Sequence, residues 1–128
     1  IQKDAEAFAP LAKAYGLPKD AENRDSIMES ALVTACEPPL SIMRETTAVV
    51  DFLEILQTEG SRLAISDVGV AATCARAALE GAVMNVFINT KCMKNREKAM
   101  QIDSEARMLL ENGTKRCETI YKHVMEEL

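Results

Sequence analysis

The sequence predicts an all-α protein, an antiparallel bundle of about four helices. Apolar residues recur at intervals of three and four through long blocks, and no segment keeps the two-residue alternation of a strand. Hydrophobic residues make up 48% of the 128 residues, but aromatic residues only 4%. The core must therefore be built from Ala, Leu, Val, Ile and Met, of which Ala and Met favour helices over sheets.

The first helix is predicted from Ile1 to about Tyr15, and the Gly16-Leu17-Pro18 segment should end it. Pro10 is expected to kink or restart this helix, because proline has no amide hydrogen to donate. The apolar positions at helical spacing are Ala5, Phe8, Leu11, Ala12 and Tyr15.

A second helical block is predicted from near Asp20 to Gly60, with Pro38 and Pro39 in its middle. The tandem prolines leave two interpretations open, one long kinked helix or two stacked helices. The buried stripe before the prolines is predicted to be Ile27, Ala31, Leu32 and Ala35. Beyond the prolines the apolar positions are Ile42, Val49, Phe52, Leu53 and Leu56.

A third helix is predicted to start at Ser66, a natural N-cap, with Asp67 in its first turn and an end near Asn89. It is crowded with small residues, namely Gly69, Ala71, Ala72, Ala75, Ala77, Ala78, Gly81 and Ala82. Interior glycine costs a helix about 1 kcal/mol relative to alanine. The glycines therefore do not serve helix stability. The short side chains let another backbone or a flat ligand come close to the helix.

A fourth helical block is predicted from about Asn95 to Leu128, with a possible break at Asn112-Gly113. One apolar stripe consists of Ile102, Ala106, Leu109 and Leu110. A second stripe consists of Ile120, Val124 and Leu128. The short connections between blocks favour antiparallel neighbours within a single domain, residues 1–128.

Charge and composition exclude several classes of function. Fifteen basic against twenty acidic residues give a net charge of −5, with no basic run that would suit nucleic acid or an anionic membrane. We expect that no apolar stretch approaches the roughly 18–20 residues of a membrane span. The four cysteines form no CxxC pair and His123 lies far from three of them, so we expect no metal site and reduced thiols in the cytoplasm.

One face of the third helix carries the side chains best suited to catalysis or ligand binding. Steps of three and four join Asp67, Ala71, Cys74, Ala78, Gly81, Asn85 and Asn89. Two interpretations stay open, a ligand groove or a face that packs on a neighbouring helix. Asp67 and Asn85 are separated by about 27 Å along the helix. They can share a site only through a long ligand or a second subunit.

Ordered short motifs resemble one family. Ser66-Asp67, Val70-Ala71-Ala72, Gly81, Asn85-Val86 and Ile88-Asn89 resemble its "SD-x-x-VAA … G-x-x-x-NV-x-IN" helix, and upstream segments resemble its "DA-x-AF" and "LPK" motifs. The family is that of formiminotetrahydrofolate cyclodeaminase and methenyltetrahydrofolate cyclohydrolase. Gly60-Ser61 departs from the usual "GN", and Thr90 from a common leucine. The glycine-rich segment that opens family members is absent, so the resemblance covers the C-terminal two-thirds of the domain.

The resemblance implies a homodimeric helical bundle that acts on folate without a metal or other cofactor. The cyclodeaminase reaction closes 5-formiminotetrahydrofolate to 5,10-methenyltetrahydrofolate with loss of ammonia. The cyclohydrolase reaction interconverts 5,10-methenyl- and 10-formyltetrahydrofolate. The residues leave these two open, with a preference for the cyclodeaminase. A helical dimerisation or scaffold module without chemistry is the competing class.

Candidate roles follow from residue type and from the motif positions. Asp67 and Asp4 are the candidate catalytic carboxylates, because both reactions move a proton at a tetrahedral carbon. The candidate substrate-binding residues are Ser66, Asn85, Asn89, Lys19 and Arg24. The carboxamides would bond the pterin or the one-carbon unit. Lys19 and Arg24, ranked ahead of Arg44 and Arg76, would receive the anionic glutamate tail. Each residue also has a structural interpretation, such as Asp67 complementing the helix dipole or Lys19 as a solvated surface charge.

Overall fold

The computed structural model describes residues 2–128 and contains four long helices with no strand in that range. The helices are α1 (Gln2–Tyr15), α2 (Arg24–Glu59), α3 (Ile65–Thr90) and α4 (Arg96–Glu127). A single 3₁₀ turn, Arg62–Ala64, precedes α3. The predicted all-α class and the four-helix division are confirmed.

Helix α3 lies at the centre, in contact with both α2 and α4, while α1 packs on α2. One core cluster, at the α1 end, includes Leu11, Leu32, Met43, Leu79, Val86 and Ala106. The other, at the opposite end of the bundle, includes Val50, Leu53, Ala72, Cys117, Ile120 and Val124. Short connections join α2 to α3 and α3 to α4, so consecutive long helices run antiparallel, as predicted.

The two prolines do not divide α2, which runs for 36 residues through Pro38 and Pro39. The interpretation as one long helix is therefore the right one. Helix α1 likewise continues through Pro10. The expected start near Asp20 is wrong, because Asn23 adopts a left-handed conformation with φ of 63° and α2 begins at Arg24. Ile27, expected in the buried stripe, is 46% exposed.

The start of α3 differs from the prediction. Ser66 is not the N-cap, because the 3₁₀ turn brings the chain into the helix one residue earlier, at Ile65. Ser61 caps the 3₁₀ turn, where its Oγ accepts a hydrogen bond from the Leu63 amide at 3.3 Å. The N-cap residue of α3 itself is Ala64, which has no polar side chain to cap the helix. Asp67 does lie in the first turn of α3, where its charge complements the helix dipole.

Helix α4 has no break at Asn112-Gly113, contrary to the prediction. Gly113 is buried at the contact with α3, where an added Cβ would lie 2.4 Å from Cδ1 of Leu79. The glycine therefore serves close helix packing rather than a turn. Asn95 caps the helix by accepting a hydrogen bond from the Lys98 amide at 3.0 Å. Leu128 is 75% exposed and does not extend the buried stripe.

Ion pairs join the helices around the core. The Arg116 guanidinium on α4 bonds both carboxylate oxygens of Glu54 on α2, at 2.7 and 2.6 Å, and also Asp51 at 2.5 Å. The Glu29 carboxylate accepts from the backbone amides of Lys94 and Asn95, at 2.8 and 3.1 Å. These contacts fix α2 against the start and the C-terminal half of α4.

The segment Arg62–Thr90 is long and apolar enough, by length and composition, to cross a membrane, with a mean hydropathy of 1.2 in its best window. The expectation that no stretch approaches a span is therefore wrong on those two measures. The core helix of a bundle passes the same test. The Arg76–Glu80 ion pair, 2.9 Å long in the middle of α3, would be costly in lipid.

Two glycine-to-alanine variants should behave in opposite ways. Gly113→Ala should lower the melting temperature, because the fully buried Leu79 must move to admit the new methyl group. Gly81→Ala should raise the stability of the isolated chain by about 0.5–1 kcal/mol, because a Cβ there meets open space and alanine favours helix. Thermal melts of both variants measure this, and stabilisation by both would contradict the packing described.

Acid should remove the contribution of the Glu54–Arg116 pair. The Arg116 guanidinium lowers the pKa of Glu54 below its ordinary value of 4.5, so the unfolded chain binds its proton first as pH falls. The stabilisation is thus present above about pH 4.5 and lost as pH drops through the folded pKa. Glu54→Gln should cost under about 1 kcal/mol at pH 7, because the pair is partly exposed.

Urea unfolding of the wild type and Glu54→Gln across this pH range measures the difference. Glu59→Gln is the matched control, because it removes an exposed carboxylate from the same helix. A Glu54→Gln deficit that stays constant down to about pH 3 would contradict the role of the charge.

Candidate functional site

The small residues of α3 divide between two faces of the helix. Gly69, Ala72, Ala75 and Ala82 are buried against neighbouring helices. Cys74, Ala78, Gly81 and Asn85 are exposed, and nothing lies within 4 Å of a Cβ added at Gly81. The face from Asp67 to Asn89, here called the outward face of α3, is thus largely uncovered within this chain, although Ala71 and Asn89 are partly buried. The interpretation as a packing surface stays open, because Asn89 bonds a backbone carbonyl of α2 at the end of this face, as that interpretation expects.

Asp67 stands at one end of the outward face, beside a cavity of about 280 Å³. The cavity is otherwise lined by Leu53, Leu56, Gly60, Ser61, Ala64, Val68 and Ala71. Ser66 faces a different cavity, of about 300 Å³, next to Tyr121 and Met125 of α4. Adjacent in sequence, Ser66 and Asp67 therefore do not serve one pocket within this chain.

Asp4 lies on a groove of about 730 Å³ between the start of α1 and the middle of α2. Its remaining lining residues are Gln2, Lys3, Glu6, Pro38, Ser41, Ile42, Glu45, Thr46 and Val49. The floor is apolar and the rim carries three carboxylates and two hydroxyls. Sequence reasoning did not select Ser41 or Glu45, and only the periodicity of α2 relative to Pro38 could have indicated their shared face.

The cavities of Asp4 and Asp67 are neighbours along one side of α2. Val49 lines the first and Leu53 the second, and these residues are one helical turn apart, about 6 Å along the axis. Ile42, Val49 and Leu56 are spaced seven residues apart on α2, alongside these two cavities, and each is about half exposed. An apolar stripe of α2 thus connects the two candidate catalytic carboxylates.

Asn85 and Asn89 stand at the far end of the outward face, about 27–33 Å from Asp67 along α3. Asn89 Nδ2 donates to the Asn85 carbonyl at 2.9 Å and to the Ala35 carbonyl of α2 at 3.3 Å. Asn85 is exposed, and its Nδ2 approaches the Gly81 carbonyl only at 3.5 Å. Asn85 therefore keeps its carboxamide available, whereas Asn89 is engaged in the fold.

Most of the proposed tail-binding cations are occupied within the chain. Arg24 Nε donates to the Leu17 carbonyl at 3.3 Å and so holds the connection between α1 and α2. Arg76 pairs with Glu80, and Arg44 pairs with Glu37 and Glu105. Lys19 is exposed in the same connection as Leu17. It is the candidate with the fewest constraints.

The four thiols have two environments. Cys36 and Cys117 are buried, and Cys74 and Cys92 are exposed. Burial raises the pKa of Cys36 to about 11 and also raises the pKa of Cys117. Within residues 2–128 no three His, Cys, Asp or Glu side chains are grouped to hold a metal ion. His123 is partly buried on α4.

Comparison with known proteins identifies the family of the chain. The model of the formiminotransferase-cyclodeaminase family matches residues 1–108, and the chain belongs to that family. The resemblance in the motifs is confirmed, and the matched range contains every candidate site residue.

Two curated relatives and one solved structure define the likeness. The chain is 36% identical over 132 positions to methenyltetrahydrofolate cyclohydrolase from Methylorubrum extorquens, covering 100% of this chain and 64% of that protein. It is 30% identical over 117 positions to formimidoyltransferase-cyclodeaminase from Gallus gallus, covering 88% and 22% respectively. The crystal structure of formiminotetrahydrofolate cyclodeaminase from Thermotoga maritima superposes with a TM-score of 0.75 at 28% identity, covering 99% of this chain and 59% of that one.

Thiol labelling should separate the cysteines by burial. Cys74 and Cys92 should react with a thiol reagent at neutral pH, and Cys36 and Cys117 should not, because their thiolates are disfavoured and covered. Mass spectrometry of the labelled peptides measures this. Labelling in denaturant is the control and should modify all four. Rapid labelling of Cys36 in the folded chain would contradict its position in the core.

Proposed function

We propose that this chain belongs to an enzyme of tetrahydrofolate one-carbon metabolism, with formiminotetrahydrofolate cyclodeaminase as the leading activity. The observation that carries the proposal is the family match over residues 1–108. The solved structure with the same fold is named for that activity. Since the chain spans 64% of the cyclohydrolase and 59% of the solved cyclodeaminase, the activity is proposed for the full-length natural protein.

The second candidate is methenyltetrahydrofolate cyclohydrolase. It is favoured by the 36% identity, which extends over all of this chain. The two reactions share 5,10-methenyltetrahydrofolate and a tetrahedral carbon bonded to N5 and N10. One site with one positioned carboxylate can therefore serve either, and the leaving group, ammonia or water, distinguishes them.

The chemistry requires a proton at the departing group. In the cyclodeaminase reaction N10 adds to the formimino carbon on N5 and loses its proton, and the resulting amine leaves as ammonia once it is protonated. A carboxyl group can move these protons, and a carboxylate stabilises the methenyl cation that remains. Asp67 and Asp4 are the proposed groups, because both face cavities along the apolar stripe of α2.

The outward face of α3 suits the rest of the substrate or a second copy of the chain. It offers small side chains with Asp67 at one end and the available carboxamide of Asn85 at the other. The two ends lie about 27 Å apart, so a homodimer that pairs the face of one copy with its partner's would bring them together. We propose this homodimer, acting in the cytoplasm without a metal or other cofactor. Lys19 is the proposed contact for the anionic glutamate tail.

Neutralising either candidate carboxylate should impair turnover. Asp67→Asn and Asp4→Asn should each lower kcat by about 10²-fold or more, because the amide cannot transfer the proton. The assay follows formation or loss of 5,10-methenyltetrahydrofolate by the full-length natural protein, with 5-formimino- and 5,10-methenyltetrahydrofolate as separate substrates. Asp20→Asn, which changes an exposed carboxylate in the connection before α2, is the matched control and should retain full activity.

Which substrate reacts decides between the two candidate activities. Turnover of neither substrate, with no thermal stabilisation by 5-formyltetrahydrofolate, would overturn the enzyme proposal in favour of a scaffold module. Full activity in both Asp67→Asn and Asp4→Asn would remove these residues from the mechanism.

A further inference from the structure

The tandem prolines of α2 leave two carbonyls without their usual helical donors. In an α-helix each amide donates to the carbonyl four residues earlier, and proline has no amide hydrogen. Pro38 therefore deprives the Thr34 carbonyl, and Pro39 deprives the Ala35 carbonyl. Thr34 is exposed, so water can satisfy its carbonyl, but Ala35 is only 8% exposed. A buried acceptor without a donor is costly, so Ala35 needs a substitute.

That substitute is the side chain of Asn89. Its Nδ2 lies 3.3 Å from the Ala35 carbonyl oxygen, across 54 residues of sequence. A carboxamide nitrogen carries two hydrogens. The second goes to the Asn85 carbonyl at 2.9 Å. Both hydrogens are thus used inside the protein, and Asn89 has no N–H left to offer a ligand.

We propose that Asn89 is a positioning residue that replaces the hydrogen bond lost at Pro39 and thereby fixes the last turns of α3 on α2. Asn85 lies one turn earlier, and its backbone carbonyl accepts a hydrogen bond from the side-chain carboxamide of Asn89. Its side chain is exposed, and its Nδ2 contact of 3.5 Å is longer than an ordinary hydrogen bond. Asn85, not Asn89, is the carboxamide that meets the substrate, a step that rests on the proposed function.

A double-mutant cycle tests the hydrogen bond without any assay of activity. Asn89→Ala should lower the melting temperature by about 4 °C, because the buried Ala35 carbonyl loses its donor. Pro39→Ala restores an amide to position 39, which can donate to Ala35 along the helix. In the Pro39→Ala background the Asn89→Ala loss should therefore shrink to less than half.

Pro38→Ala provides the matched control. It restores the donor of the exposed Thr34 carbonyl, which Asn89 does not contact, so the full loss from Asn89→Ala should persist in that background. Equal losses in the wild-type, Pro39→Ala and Pro38→Ala backgrounds would overturn the pairing of Pro39 with Asn89.

Kinetics of the full-length natural protein test the positioning role. Asn89→Asp keeps an oxygen at the Oδ1 position but has no N–H for Ala35. If Asn89 positions through its amide hydrogens, Asn89→Asp and Asn89→Ala should both lower kcat/KM by at least about 10-fold well below their melting temperatures, where a merely structural loss has no effect. Asn85→Ala should raise KM without changing the melting temperature.

The possible outcomes are distinguishable. Retention of wild-type kcat/KM by Asn89→Asp would overturn the positioning role and assign substrate contact to Oδ1. Absence of turnover by the wild type would count against the proposed function, while the melting cycle would still decide the hydrogen bond.

Discussion

Close approach of helices to α3 is the constraint on which the rest of the structure depends. With aromatic residues at 4% of the chain, the core has few large side chains to fill wide gaps between helices. Gly69 and Gly113 allow the helices to approach closely. A Cβ added at Gly69 would lie 2.9 Å from Cγ1 of Val124, and one added at Gly113 would lie 2.4 Å from Cδ1 of Leu79. Because α2 and α4 are drawn onto one side of α3, its other side stays uncovered and carries the candidate site. Packing and function thus use the same kind of small residue on opposite faces.

Hydrophobic periodicity predicted the helices, because a repeat of three and four residues reports the side of a helix that is buried. The short connections predicted their antiparallel order. Local signals from single residues misled where the tertiary structure explains the residue. Gly113 resembled a helix end but is a packing glycine against Leu79, and Ser66 resembled a cap although the 3₁₀ turn starts the helix earlier. Pro38 and Pro39 resembled an interruption, yet α2 continues, with Asn89 from another helix supplying a donor.

The candidate site was predictable only in part. The helical face from Asp67 to Asn89 followed from spacing, and the structure keeps most of that face exposed. Spacing within one helix cannot show what a different helix contributes, so the groove of Asp4 with Ser41 and Glu45 was missed. Nor can spacing show that Asn89 and Arg24 donate hydrogen bonds to the backbone carbonyls of Ala35 and Leu17. Family motifs select residues together, and the structure separates those that stay exposed, such as Asn85, from those that bond within the fold, such as Asn89.

The central claim is that the uncovered side of α3 is the surface on which the folate chemistry depends. A Gly81→Leu variant tests it, because a side chain there projects into open space and leaves the core of the 128-residue chain untouched. The measurement is thermal stabilisation of the full-length natural protein by 5-formyltetrahydrofolate, with the melting temperature of the isolated chain as the check on folding. The account predicts that the isolated variant melts at or slightly above the wild-type temperature, because leucine favours helix over glycine and meets open space there. It also predicts that the ligand no longer stabilises the full-length variant. Undiminished stabilisation of the full-length variant by the ligand would contradict it.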